Sequence, residues 1–115
     1  MRMRDFEKAH SDVAAALALN PDHVDAYLLR GCLRIEQAEY RMGISDLKFV
    51  LSENPTDSMA HFYMALAEAR KGRRKASRKG AARAFHLAEQ QGNWDIMRLT
   101  QEHFPGMGQG PRRPR

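Results

Sequence analysis

The sequence predicts an all-α protein, and three observations carry that reading. Apolar residues recur at helical spacing, as in Phe6, Ala9, Val13, Ala16 and Leu17, and again in Leu47, Val50 and Leu51 behind Gly43. Proline and glycine punctuate the chain at Asn20-Pro21, Asn54-Pro55, Gly72, Gly92 and then repeatedly from Pro105. No stretch alternates with period two for long enough to suggest a sheet. The segments between these marks are expected to be helices near 4–19, 22–37, 40–53, 57–71, 73–91 and 93–103.

Each helix has its own local reason. The first carries the Phe6-to-Leu17 stripe and must end before Pro21, which pushes its predecessor out of helical geometry. The second opens on Asp22-His23-Val24-Asp25, whose aspartates suit the positive end of a helix dipole. The third packs through Gly43, Leu47, Val50 and Leu51 and stops at Asn54-Pro55. The fourth is closed by Gly72, and the fifth runs on to Gln91, where Gly92 stops it. Asn93 is a suitable N-cap for the sixth, with Trp94, Met97 and nearby Phe104 expected to pack. From Pro105 the chain is too rich in proline and glycine to order itself, so 105–115 reads as a disordered basic tail.

The chain's 115 residues, 43% hydrophobic and 29% charged, make one domain with a modest core. A single cysteine, Cys32, excludes an internal disulfide framework. The longest apolar run, Val13–Leu19, is seven residues, against about 20 for a membrane span. No apolar segment follows the basic N-terminus as in a signal peptide. A soluble, cytoplasmic protein is the expectation.

The net charge of +5 is unevenly distributed. Residues 1–69 carry seven Lys and Arg against eleven Asp and Glu, whereas residues 70–115 carry twelve against three. Most of the excess forms a ridge, Arg73, Arg74, Lys75, Arg78, Lys79 and Arg83, with a second cluster at Arg112, Arg113 and Arg115. Helical spacing turns these ridge residues outward and Ser77, Ala81 and Ala84 inward. Like charges in adjacent turns repel, and cations at a helix start oppose the dipole, which invites an acidic partner or phosphate.

The two Asn-Pro pairs lie 34 residues apart. At that offset Phe6 falls on Tyr40, Ala9 on Gly43, Val13 on Leu47, Ala16 on Val50 and Leu17 on Leu51. A second shift puts Ala26 on Ala60, Gly31 on Ala65, Gly43 on Ser77, Val50 on Ala84 and Leu51 on Phe85. Small residues meet small ones and apolar meet apolar, the sign of a helical repeat. The segments DFEKAHSDVAAALALNP and AYLLRGCLRIEQAEYRMGISDLKFVLSENP resemble tetratricopeptide repeats, with Tyr27, Gly31, Tyr40, Gly43, Leu47, Val50, Leu51 and Pro55 at the family's marker positions.

The resemblance implies antiparallel helix pairs stacked as a short right-handed tetratricopeptide solenoid over residues 1–104. Its parts are a half repeat at 4–21, a full repeat at 22–55, a divergent repeat at 56–91 and a capping helix at 93–104. The third copy departs from the pattern at His61, Arg74 and Glu89. The half repeat lacks its first helix, so the expectation is either self-association through helix 4–19, burying Val13 across a two-fold axis, or a longer array whose upstream helix covers that edge.

In this family ligands lie along the first helices, on the concave side. Carried across, those positions are Asp25, Leu28, Cys32 and Ile35, then Met59, Phe62, Leu66 and Arg70. The chaperone-binding variants need lysine, asparagine and arginine to hold a carboxylate, whereas Leu28, Cys32, Met59, Phe62 and Tyr63 stand there. An apolar lining suits an amphipathic helix or a hydrophobic peptide, and Phe62→Asp should abolish binding without loss of helicity. The five histidines make no metal-binding pair, His23 fits a helix-opening turn, and no phosphate-binding glycine loop is present. The reading is a non-catalytic protein-interaction module without cofactor or metal. The alternative is attachment to nucleic acid or an anionic surface through residues 70–83 and the Arg-rich tail. Residues 70–83 contain no aromatic to stack on bases.

Overall fold

The structure is a computed structural model and describes residues 3–107. Six helices follow in chain order: α1 (Met3–Leu19), α2 (Val24–Glu36), α3 (Tyr40–Glu53), α4 (Ser58–Arg70), α5 (Arg74–Gln91) and α6 (Trp94–His103). Their bounds lie within two residues of those expected from the sequence, and no strand occurs among the described residues. Residues 105–107 form a turn after α6; the remainder of the expected tail, 108–115, lies outside the described residues. The chain divides into two compact units, one ending at Pro55 and the other beginning at Thr56.

In the first unit α1 lays its apolar stripe on α2. Val13 is buried with Ala26 and Leu33, and Phe6, Ala9, Ala16 and Leu17 pack around them. This corrects the expectation for Val13, which is 3% exposed inside the unit and not on an open edge. The stripe faces α2 through Ala26 and Leu33. Ala14, Ala15, Ala18 and Leu19 point to solvent instead.

Helices α2 and α3 run antiparallel. As α2 is followed upward from Tyr27 through Arg30 to Ile35, the residue met on α3 descends from Phe49 through Asp46 to Gly43. The helices approach closely where side chains are missing. A Cβ on Gly31 would lie 2.9 Å from Leu47 Cδ2, and one on Gly43 would lie 2.9 Å from the Gly31 carbonyl oxygen. Leu47 and Val50 fill the seam and are fully buried.

The second unit packs α4 against α5 with smaller residues. Ala65, Ala81, Ala84 and Ala88 are buried, and a Cβ on Gly80 would lie 3.2 Å from that of Ala65. Gln91 Nε2 donates to the Thr56 carbonyl at 2.7 Å, tying the end of α5 to the start of α4. Gly92 takes a left-handed φ of 67° and ends α5, as its lack of a Cβ allows.

Asn93 caps α6 by accepting from the Ile96 N–H at 3.2 Å. Ile96, Thr100 and Phe104 are buried, whereas Trp94 is 73% exposed. The expectation that Trp94 packs is corrected by helix phase. Ile96 and Thr100, four apart, share the inner face, and Trp94 stands about 200° from Ile96.

The hydrogen bonds of the turns recur at the sequence offset. Gln37 N–H bonds Leu33 C=O, Ala38 bonds Ile35, Glu39 bonds Arg34, and Gly43 bonds Glu39. Thirty-four residues on, Lys71 bonds Ala67, Gly72 bonds Ala69, Arg73 bonds Glu68, and Ser77 bonds Arg73. The helix starts correspond too: His23 Nδ1 accepts from Ala26 N–H at 3.2 Å, and Asp57 Oδ1 from Ala60 N–H at 2.9 Å. His23 is therefore a helix cap.

Candidate functional site

The first-helix positions divide by burial. On α2, Asp25 is exposed in the first turn, Leu28 is half-buried, and Cys32 and Ile35 are buried. On α4, Met59 is half-buried, Phe62 and Leu66 are buried, and Arg70 is exposed at the last turn. Leu28 and Phe62 are equivalent at the 34-residue offset, yet Phe62 is only 1% exposed. Its ring meets Tyr63 at 5.2 Å and the imidazole of His103 at 5.5 Å, both edge-on. The end of α6 thus packs on Phe62 within the second unit. Phe62→Asp would put an unpaired charge into that core, so it tests stability and not partner contact.

What α2 and α4 leave accessible is narrower than the apolar lining expected from the sequence. Leu28 and Met59 keep part of their surface, flanked by Asp25 on α2 and by Tyr63, half-buried, on α4. Each can add apolar contact to a bound segment, at about 25 cal/mol per Å² covered.

Across the α2–α3 seam lies a charged cluster that the sequence reading missed. Arg30 grips Asp46 with two hydrogen bonds, Nε to Oδ2 at 3.0 Å and Nη2 to Oδ1 at 2.8 Å. Arg34 Nη1 donates to Oδ2 at 2.9 Å, and Asp46 is 4% exposed. The Asp46 hydrogen bond, against the opposing effect of burial, holds the Arg30 guanidinium pKa above its ordinary value. Arg30 also lies 5.1 Å from the Tyr27 ring, which packs on Phe49. A signal was available: Asp46 interrupts the apolar stripe of Gly43, Leu47 and Val50, opposite two arginines spaced i, i+4. Both arginines serve the α2–α3 seam, so the cluster is a clamp.

The basic ridge is accessible along its whole length. Arg73, Arg74, Lys75, Arg78, Lys79 and Arg83 are exposed, and Ser77, Ala81 and Ala84 are buried beneath them. Arg73 pairs with Glu68 at 3.3 Å. Among the described residues no carboxylate pairs with Arg74, Lys75, Arg78, Lys79 or Arg83. The first turn of α5 carries no acidic residue and its cap, Arg73, makes no side-chain capping bond. The cations there stay uncompensated against the dipole.

Among the described residues, no group of three or more His, Cys, Asp or Glu is placed to hold a metal. No helix there is long and apolar enough to cross a membrane. Comparison with protein-family models, with curated proteins and with solved structures returns no match to this chain.

Proposed function

We propose that the chain is a non-catalytic interaction module of tetratricopeptide type that binds a protein or peptide partner along its first helices. The observation supporting this most directly is the recurrence of one turn, with the same four backbone hydrogen bonds, 34 residues apart. A helix hairpin built twice on one pattern presents equivalent first-helix positions twice, the manner in which helical repeats offer ligand surfaces. Among the carried-across positions, Leu28 in one hairpin and Met59 in the other keep part of their surface, beside buried Cys32 and Ile35 or Phe62 and Leu66. The partner this fits is a short apolar segment or the apolar stripe of an amphipathic helix.

Selecting peptides on the intact chain from a random library, then measuring the affinity of a selected peptide for two variants, tests the reading. Leu28→Asp should weaken a peptide bound on α2, and Met59→Asp one bound on α4, about tenfold, or ~1.4 kcal/mol, with circular dichroism unchanged. Full affinity in both folded variants, or no peptide selected at all, would refute binding along α2 and α4.

A further inference from the structure

We infer that the exposed face of α5 binds the phosphate backbone of a double-stranded nucleic acid without reading its sequence. The inference is independent of the first-helix reading. Five cations, Arg74, Lys75, Arg78, Lys79 and Arg83, stand unpaired among the described residues on one side of a single helix. At 1.5 Å of rise per residue they extend over about 13 Å. Arg74 and Arg78 form one i, i+4 row, and Lys75, Lys79 and Arg83 form a second beside it. All three turns rest on a buried seam of Ser77, Ala81, Ala84 and Ala88, so the unit's packing fixes the spacing of the charges.

Three kinds of anion could meet such a face, and its surroundings separate them. An acidic protein segment would gain only about 0.2–1 kcal/mol from each exposed ion pair and would need apolar anchors for the rest. The exposed face offers only Ala76 and Ala82, because the large apolar residues of α5, Phe85 and Leu87, are buried inside the unit. The same burial removes the Leu and Phe surface that an interfacial helix inserts into a lipid headgroup layer.

A nucleic-acid backbone needs neither. Its affinity comes from counterions released as phosphates are neutralised, and it grows with the number of cations alone. Single strands are held chiefly by aromatic stacking, and the face carries no Phe, Tyr or Trp; beyond the cations α5 exposes Ala76, Ala82, His86 and, in its last turns, Glu89 and Gln90. A duplex, which presents phosphates with its bases turned in, matches what the face provides.

The test is fluorescence anisotropy of a labelled 20-base-pair duplex of arbitrary sequence with the intact chain at increasing salt. Four phosphate contacts predict roughly a hundredfold loss of affinity between 50 and 200 mM salt, from a slope of about −0.9 per contact. The comparison protein carries Arg74→Gln, Lys75→Gln, Arg78→Gln and Lys79→Gln, exposed substitutions that keep helix propensity. It should melt like the parent, bind the duplex at least tenfold more weakly at 50 mM salt and show a flatter slope. A scrambled duplex should bind as well as the first.

Absence of duplex binding at 50 mM salt overturns the inference, as does equal binding by the folded quadruple variant. So does tighter binding of the unpaired strand than of the duplex. Capture of polyglutamate or of phosphatidylserine vesicles that excess duplex fails to displace would assign the face to a protein or a membrane and overturn it too.

Discussion

The two hairpins solve one packing problem in opposite ways. At one matched contact of α2–α3, beside the second close approach at Gly43 on α3, the glycine is on the first helix: Gly31 faces the Asp46 Cβ, which would lie 3.2 Å from a Cβ at Gly31. In α4–α5 the equivalent residues are Ala65 and Gly80, and the glycine has moved to the second helix, again with 3.2 Å between the Cβ positions. The close approach is kept while the residue that permits it changes sides. The consequence is chemical. Asp46 has a side chain where Gly80 has none, so only the first hairpin can hold Arg30 and Arg34 across its seam. The second hairpin has Met64, Glu68 and Gly80 at those positions and instead gains a third helix, whose His103 packs on Phe62. A helix pair needs a small residue at the crossing, and either partner can supply it.

Three substitution pairs probe this contrast, each read by hydrogen exchange of the two units separately. The largest effect is expected at Phe62. Phe62→Asp should cost about 5 kcal/mol, combining the loss of a buried aromatic with an unpaired charge, and should deprotect α4, α5 and α6 together. Leu28→Asp, at the equivalent but half-exposed position, should cost about 1 kcal/mol and leave α2 protected. Equal losses would mean that α6 does not set the two apart.

The clamp comes second. Asp46→Ala strands two partly buried guanidinium groups and should destabilise the first unit by about 3 kcal/mol. Gly80→Ala, at the matching position of the second unit, should change stability by less than about 1 kcal/mol, because better helix propensity offsets the 3.2 Å contact with Ala65. A silent Asp46→Ala would show that van der Waals packing alone holds α2 to α3.

The smallest pair lies in the turns. Ala38 sits at φ 66° and its equivalent Gly72 at φ 82°, the left-handed region that penalises a Cβ. Ala38→Gly should stabilise the first unit by about 0.5–1 kcal/mol, and Gly72→Ala should destabilise the second by a similar amount. Changes of the same sign in both would indicate that the two turns, despite their shared hydrogen bonds, are strained differently.

The sequence by itself determined the number of helices, their bounds and the inward and outward faces of α5. Those features rest on interactions within a turn or two of the chain: the apolar period, Pro21 and Pro55 as stops, Gly92 as a left-handed terminator and Asn93 as a cap. It also determined the 34-residue repetition, because the equivalent turns use equivalent local hydrogen bonds.

The tertiary structure alone decided which apolar residues remain accessible. Phe62 reads as a groove residue until α6, about 40 residues further on, packs His103 against it. Trp94 reads as core until the cap at Asn93 fixes the helix phase and turns Ile96 and Thr100 inward. Val13 reads as an open edge until α2 covers it. Asp46 reads as a flaw in an apolar stripe until two arginines from the facing helix reach it. For Phe62, Val13 and Asp46 the deciding partner lies on another helix, and local periodicity specifies which face of a helix is apolar but not what will cover it.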